Sequence, residues 1–255
     1  GVTDDILRLR RILGHERPFH TCRKTRPAAP AERALLDLFD DVGRRHIHRL
    51  FQRFVPAGFL INLQRVPTEP ATLIWAEALD GGDPRTKASH RDKLVRLPAP
   101  FTDSPTEVIK IEQRYQGRMF GERDGLMLFY DYDRDKQRRR LFMADYRNPS
   151  GAKLISDVNV RDVYNNIGTP VTKVLPNGET VVRQSDDLIF LTGQGASPEG
   201  DRPFLRQLNL KTLKTDEIFR SGKDEYETVV AVIDDNGAQF ITRKETIAEP
   251  PNLRL

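Results

Sequence analysis

Val171-Thr172-Lys173-Val174-Leu175-Pro176-Asn177-Gly178-Glu179-Thr180-Val181-Val182-Arg183-Gln184 is two β-branched runs around a Pro-Asn-Gly-Glu centre. Valine and threonine favour strands because a branched Cβ packs well on a pleated surface. Asn-Gly between two such runs is the strongest short hairpin signal, since the tight turn asks φ > 0 of both residues. The pattern recurs where residues 229–233 meet Asp234-Asp235-Asn236-Gly237 and residues 239–243 return. Weaker copies fill the chain between and before them. Residues 71–79 end in Asp80-Gly81-Gly82-Asp83-Pro84, and residues 125–131 turn at Asp133-Arg134-Asp135-Lys136 and return over 139–145. Residues 187–192 form a further strand, and residues 204–210 lead through Lys211-Thr212-Leu213-Lys214-Thr215 to 217–220. No helical period interrupts residues 67–255. The spacing predicts a mainly β fold, a partial β-propeller of antiparallel blades, with a β-sandwich as the competing arrangement.

Upstream of Pro67 the texture changes. Leu35, Leu38, Phe39, Val42, Ile47, Leu50, Phe51 and Phe54 fall near a 3.6-residue period, which predicts a helix over 31–54 between Pro30 and Pro56. The chain therefore divides into a basic helical and loop segment over 1–66 and a partial propeller over 67–255. The first part has 13 Lys and Arg against 7 Asp and Glu, and the second 28 against 30. The pI of 9.2 thus describes the first segment, and nucleic-acid binding is not inferred from it. Three origins fit that segment: a genuine extension, a fused domain, or a stretch translated out of frame. The abrupt change favours the third.

The remaining bulk properties exclude more than they suggest. A 31% charged and 38% apolar composition implies much solvated hairpin surface. A single cysteine, Cys22, rules out an intramolecular disulfide. No run of about 18 apolar residues offers a membrane span. No signal peptide is read at the start, and the compartment stays open.

Several long motifs resemble the prolyl oligopeptidase family of serine peptidases, in its glutamyl-endopeptidase branch. They are Leu73-Ile74-Trp75-Ala76-Glu77-Ala78-Leu79-Asp80-Gly81-Gly82-Asp83-Pro84 with His90-Arg91-Asp92-Lys93, then Tyr164-Asn165-Asn166-Ile167-Gly168-Thr169-Pro170-Val171, then Gly193-Gln194-Gly195-Ala196-Ser197-Pro198-Glu199-Gly200-Asp201-Arg202-Pro203-Phe204-Leu205. Thr242-Arg243-Lys244-Glu245 and Glu249-Pro250-Pro251-Asn252 resemble the segment that leads from propeller to hydrolase. The resemblance implies a propeller that gates peptide access to an α/β-hydrolase domain carrying a Ser-Asp-His triad. It also implies a G-x-S-x-G elbow for the nucleophile.

That elbow does not occur in these 255 residues. The nearest string, Gly195-Ala196-Ser197-Pro198-Glu199-Gly200, has its second glycine one position late and a proline after the serine. His90 reads as a surface or turn residue. No catalytic residue is therefore assigned, and the chain alone is expected to be inactive. Glu199, Asp201, Arg202 and Arg243 are the candidate substrate-binding residues, because loop arginines can hold a carboxylate through paired hydrogen bonds. For Arg202 the competing reading is an ion pair between blades. No metal or cofactor is expected. His46 and His48 do not share a helix face, and Asp131, Asp133 and Asp135 lack the glycine and glutamate of a calcium loop. With Arg138-Arg139-Arg140 they read as a solvated turn. The expected partners are peptides and the enzyme's own hydrolase domain, with neither nucleic acid nor membrane. The alternative function is a stand-alone propeller that binds a peptide or protein.

Overall fold

A computed structural model of the chain describes residues 60–255, apart from Pro70, Asp124, Pro149 and Ser150. The expected helix over 31–54 and the basic segment to residue 59 lie outside the described residues. Among the described residues there are strands and turns and no helix.

The strands form antiparallel sheets, mostly simple meanders. β1 (Leu60–Arg65), β2 (Thr72–Ala78), β3 (Asp92–Pro98) and β4 (Thr106–Ile111) make a four-stranded sheet in chain order. It includes six residues upstream of Pro67. β5 (Arg114–Phe120), β6 (Leu126–Asp133), β7 (Arg138–Asp145) and β8 (Ala152–Asn159) make the next one, again in order. β9 (Thr169–Pro170) follows, then the hairpin of β10 (Thr172–Val174) and β11 (Thr180–Val182), and β12 (Gln184–Ser185). β13 (Leu188–Gly193) precedes a small hairpin of β14 (Ala196–Ser197) and β15 (Gly200–Asp201). β16 (Phe204–Asn209) and β17 (Thr215–Arg220) complete the third large sheet, ordered β12-β13-β16-β17 with β9 also on β13. β18 (Tyr226–Val232), β19 (Phe240–Glu245) and β20 (Asn252–Arg254) make a three-stranded sheet. Successive up-and-down sheets of this kind are propeller blades, so the expected mainly β fold of antiparallel blades is what these residues form.

Two compact units result, one with β1–β4 and residues 144–152 and 175–179, the other with residues 118–143, 153–174 and 180–255. In the first, Trp75, Val95, Leu97 and Phe101 form a buried cluster. In the second, Leu126, Leu128, Leu141, Val182, Ile189, Leu191, Leu208 and Leu210 form another, and Phe190, Leu205 and Val232 a third. Each fully buried leucine, isoleucine or phenylalanine contributes about 1.5–3 kcal/mol. β6 and β13 are buried on both faces, so they read in sequence as unbroken apolar runs and not as alternation.

The two Asn-Gly turns form where the sequence places them, but not by the expected geometry. Gly178 and Gly237 have φ of 82° and 75°, whereas neither Asn177 nor Asn236 enters the left-handed region. At the first turn Gly178 N donates to Leu175 O at 2.9 Å and Leu175 N to Glu179 O at 2.8 Å. Pro176 presets the turn, and a glycine bulge closes it. Asn177 instead acts through its side chain. Its Oδ1 accepts from Glu179 N at 3.1 Å and its Nδ2 donates to Pro67 O at 3.0 Å.

Candidate functional site

The motif Asp80-Gly81-Gly82-Asp83-Pro84 builds a closed cluster of charges. Gly81 and Gly82, at φ 64° and 75°, fold the chain back so that Gly82 N donates to Asp80 Oδ1 at 2.9 Å. Arg91 Nη1 donates to Asp80 Oδ2 at 2.8 Å and its Nη2 to Pro84 O at 3.1 Å. Arg114 spans both carboxylates, with Nη2 on Asp80 Oδ2 and Nη1 on Asp92 Oδ1, each at 2.5 Å. Tyr115 N donates to the other oxygen of Asp92 at 2.6 Å. Both carboxylates are buried. Burial alone would raise the pKa of Asp80, but the hydrogen bonds from Arg114, Arg91 and Gly82 outweigh it and hold the group at about 2. For Asp92 burial wins over the Tyr115 hydrogen bond and the Arg114 charge, and its pKa is raised. This arrangement locks turn to strand. It leaves neither Asp80 nor Asp92 exposed to act on a ligand.

The second motif encloses a phenylalanine. A Cβ on Gly193 would lie 2.6 Å from the Phe204 ring, and one on Gly168 2.8 Å from Thr192 O. One on Gly195, at φ 63°, would lie 2.0 Å from Arg202 O. The glycines are thus required by close approach, not by any phosphate or oxyanion. Phe204 is buried, with the Arg206 guanidinium 4.1 Å and that of Arg220 5.5 Å from its ring centroid. Glu217 pairs with both arginines, at 3.5 and 2.5 Å.

The four candidate residues fall at two places. Glu199 and Asp201 are exposed on the β14–β15 hairpin, where Ser197 Oγ lies 2.7 Å from Gly200 O and 3.1 Å from Glu199 Oε2. Those contacts close a tight turn, and no histidine bonds to Ser197 among the described residues. Arg202 follows on the same hairpin. Its Nε donates to Ser221 O at 3.1 Å, and its own carbonyl accepts from Arg220 Nη1 at 3.3 Å. Its partner is therefore a main-chain carbonyl, not a carboxylate across blades. Arg243 sits on β19 opposite Leu253 and approaches Glu245 at 3.3 Å. No hydrogen bond or ion pair joins Arg243 to the other three among the described residues. The expected solvated turn near Arg138 is also different in part. Asp131 is buried and held by Arg140 at 2.9 and 2.5 Å, while Asp133 caps the turn through the amides of Asp135 and Lys136.

Sequence reasoning missed a pocket of about 120 Å³ between β6, β7, β8 and the loop over residues 160–168. Tyr130, Arg139, Leu141, Ser156, Asp162 and Asn166 stand on its walls. The Arg139 guanidinium stacks 4.7 Å above the Tyr130 ring. Burial raises the Tyr130 pKa against the pull of Arg139, so its hydroxyl stays a donor. The loop is fixed by its own side chains. Asn159 Oδ1 accepts from Arg161 N at 2.9 Å, and Val160 N donates to Gln137 O at 2.9 Å. Asp162 accepts from Tyr164 N, Asn165 N and Asn165 Nδ2 at 3.2, 3.1 and 2.7 Å. Asn166 Oδ1 accepts from Gly168 N at 2.9 Å. The motif Tyr164-Asn165-Asn166-Ile167-Gly168 was the available signal, since paired Asx residues before a glycine mark a structured loop.

The chain is 30% identical over 177 residues to the probable chloroplastic glutamyl endopeptidase of Oryza sativa subsp. japonica, and 31% identical over 177 residues to that of Arabidopsis thaliana. Over that stretch the chain resembles the glutamyl endopeptidases. Each match takes in 66% of this chain but only 19% and 18% of those relatives. No protein-family model matches the chain. Among solved structures, the propeller domain of the trilobed protease of Pyrococcus furiosus aligns with 77% of this chain and 57% of its own, at 7% identity and a TM-score of 0.38. TolB of Acinetobacter baumannii aligns with 73% and 39%, at 13% identity and a TM-score of 0.36. In family terms, the charge cluster and the Phe204 enclosure explain why the motifs have their residues. Both do so through folding.

Proposed function

We propose that residues 60–255 are a non-catalytic propeller portion of a serine peptidase and admit and position peptides for a hydrolase domain carried elsewhere in the longer protein. The observation that carries this reading is the 177-residue similarity to glutamyl endopeptidases, of which it takes in under a fifth. The missing G-x-S-x-G supports it, because acyl transfer by a serine needs an elbow, a base and an oxyanion hole together. Exposed turns on sheets held by buried ionic and aromatic clusters suit contact with a peptide.

The test compares cleavage of a glutamate-containing fluorogenic peptide by this chain alone and by the longer protein that contains it. The expected outcome is no turnover by the chain alone and turnover by the longer protein. Turnover by the chain alone overturns the reading.

A further inference from the structure

We propose that Asn236-Gly237 is a self-modification site, where the Gly237 nitrogen closes on the Asn236 side chain and converts it to isoaspartate and aspartate. The fold holds Asn177-Gly178 back from the same reaction. The proposal stands apart from the peptide-positioning reading, since it needs no substrate.

An Asn-Gly pair carries both partners of the reaction. The glycine nitrogen attacks Asn Cγ, and no Cβ on the glycine hinders the approach. The new N–Cγ bond closes a five-membered succinimide. The Cγ–Nδ2 bond breaks, and the amide proton of the glycine leaves with Nδ2 as ammonia. Water then opens the ring at either carbonyl. Attack at Cγ gives aspartate. Attack at the main-chain carbonyl gives isoaspartate, whose chain runs on through Cβ and Cγ. Either route takes up one water and releases one ammonia, with no oxidant or reductant.

The two pairs share one contact and differ in the rest. Asn177 Oδ1 accepts from Glu179 N at 3.1 Å, and Asn236 Oδ1 accepts from Ala238 N at 3.0 Å. That bond aims an N–H at the oxygen where negative charge gathers as the ring closes. At the first pair Gly178 N donates to Leu175 O at 2.9 Å and Asn177 Nδ2 donates to Pro67 O at 3.0 Å. Attacking and leaving nitrogens are both tied. At the second, no hydrogen bond ties Gly237 N or Asn236 Nδ2 among the described residues. Asn236 is exposed, so water reaches its side chain. The Arg183 guanidinium also sits on this turn. Its Nε donates to Asp234 O at 3.3 Å, and its Nη2 donates to Ile233 O and lies 3.6 Å from Asp235 Oδ1. A cation there favours the anionic intermediate and the carboxylate that follows.

The product changes the hairpin. Gly237 is buried at φ 75°, and a Cβ on it would lie 2.4 Å from the Phe190 ring. Isoaspartate puts one more atom into the main chain just before this close seat. Val232, at the end of β18, shares a buried cluster with Phe190 and Leu205. Conversion to isoaspartate therefore loosens the β18–β19 hairpin, whereas aspartate keeps the main chain's length.

The experiment ages the full chain at mildly alkaline pH, folded and in urea, and digests it briefly with trypsin. Residues 174–183 and 224–243 come away as two peptides, each with one Asn-Gly pair. Mass spectrometry reads the amide-to-acid exchange in each, and an isoaspartyl methyltransferase reads isoaspartate. In the folded chain the 224–243 peptide should convert about tenfold faster, the factor expected when two hydrogen bonds must first break at the slower site. In urea the two rates should converge. Hydrogen exchange over residues 229–232 and 240–242 should quicken in aged wild type, but not in aged Asn236→Ser or fresh Asn236→Asp. Equal rates in the folded chain, a faster 174–183 peptide, or no folded-state conversion of 224–243 in a time that converts it in urea overturns the assignment. Unchanged exchange in a chain rich in isoaspartate, or equal quickening in Asn236→Asp, overturns the main-chain effect on the hairpin.

Discussion

Two clusters of charged and polar groups in this protein have opposite bookkeeping. Around Asp80 and Asp92 every carboxylate oxygen is met by a guanidinium or an amide, and the acids are sealed from water. Around Tyr130 and Arg139 the donors line a cavity and bond to no acceptor among the described residues. The first pattern is what folding requires, since a buried charge must be paired. The second is not needed for folding, because partly exposed donors are satisfied by water. The difference teaches that a motif's charged letters mark the closed cluster, while the open one hides in letters of ordinary appearance.

The sharpest way to break this comparison is to open the closed cluster. Arg114→Met leaves Asp80 paired with Arg91 alone and buried Asp92 with no guanidinium, held only by the Tyr115 amide. Urea denaturation should show a loss of about 3–5 kcal/mol, the range for removing one partner of a buried pair. A loss below about 1 kcal/mol would mean that water reaches the acids and that the cluster is not closed.

Acid probes the same cluster more gently. Asp80 has a depressed pKa of about 2, so the stability it contributes is present above the unfolded value of 3.8 and is lost as pH falls toward 2. That contribution is about 2 kcal/mol. Asp92 has a raised pKa, so its charge costs stability at neutral pH, and protonation relieves that cost as pH falls through its folded value. Stability should therefore hold or rise slightly first and decline only below about pH 4. Thermal melts of wild type and Asp80→Asn across pH 2–6 check this, with the decline weakened in the variant.

The smallest effect belongs to the open side. Arg139→Gln, and Glu199→Gln on the β14–β15 hairpin, should each change stability by no more than about 1 kcal/mol. The same urea measurement decides it. A larger loss at Arg139 would move its stacking on Tyr130 to the closed side of the comparison.

The strands were largely legible in the sequence, and the reasons are local. Residues 204–210 and 229–233 carry apolar runs bounded by turn residues, and β16 and β18 form there. β3 was missed because Asp92 and Arg96 interrupt its apolar letters, yet Asp92 is wholly buried. The two-residue strands β9, β12, β14 and β15 are too short for any period to show. The charge cluster was illegible for another reason. Asp80 meets its arginines 11 and 34 residues away, a separation no spacing rule addresses. The candidate residues Glu199, Asp201, Arg202 and Arg243 were chosen as exposed charge near family motifs. Arg202 turned out to brace a main-chain carbonyl. Arg139 was dismissed with its neighbours because a triplet of arginines looks uniform until side chains on alternate faces are told apart.

β13 is paired along both margins. β16 runs the length of one side, while β12 and β9 take opposite ends of the other. Ile189, Phe190 and Leu191 within it are all sealed from solvent. A strand so enclosed releases its amide protons only when the sheet around it comes apart, so its opening free energy approaches that of the whole unit. The loop over residues 160–168, tied by side chains at the surface, opens far more cheaply. One unit of the protein thus runs on a slow clock at β13 and a fast one at the loop over residues 160–168.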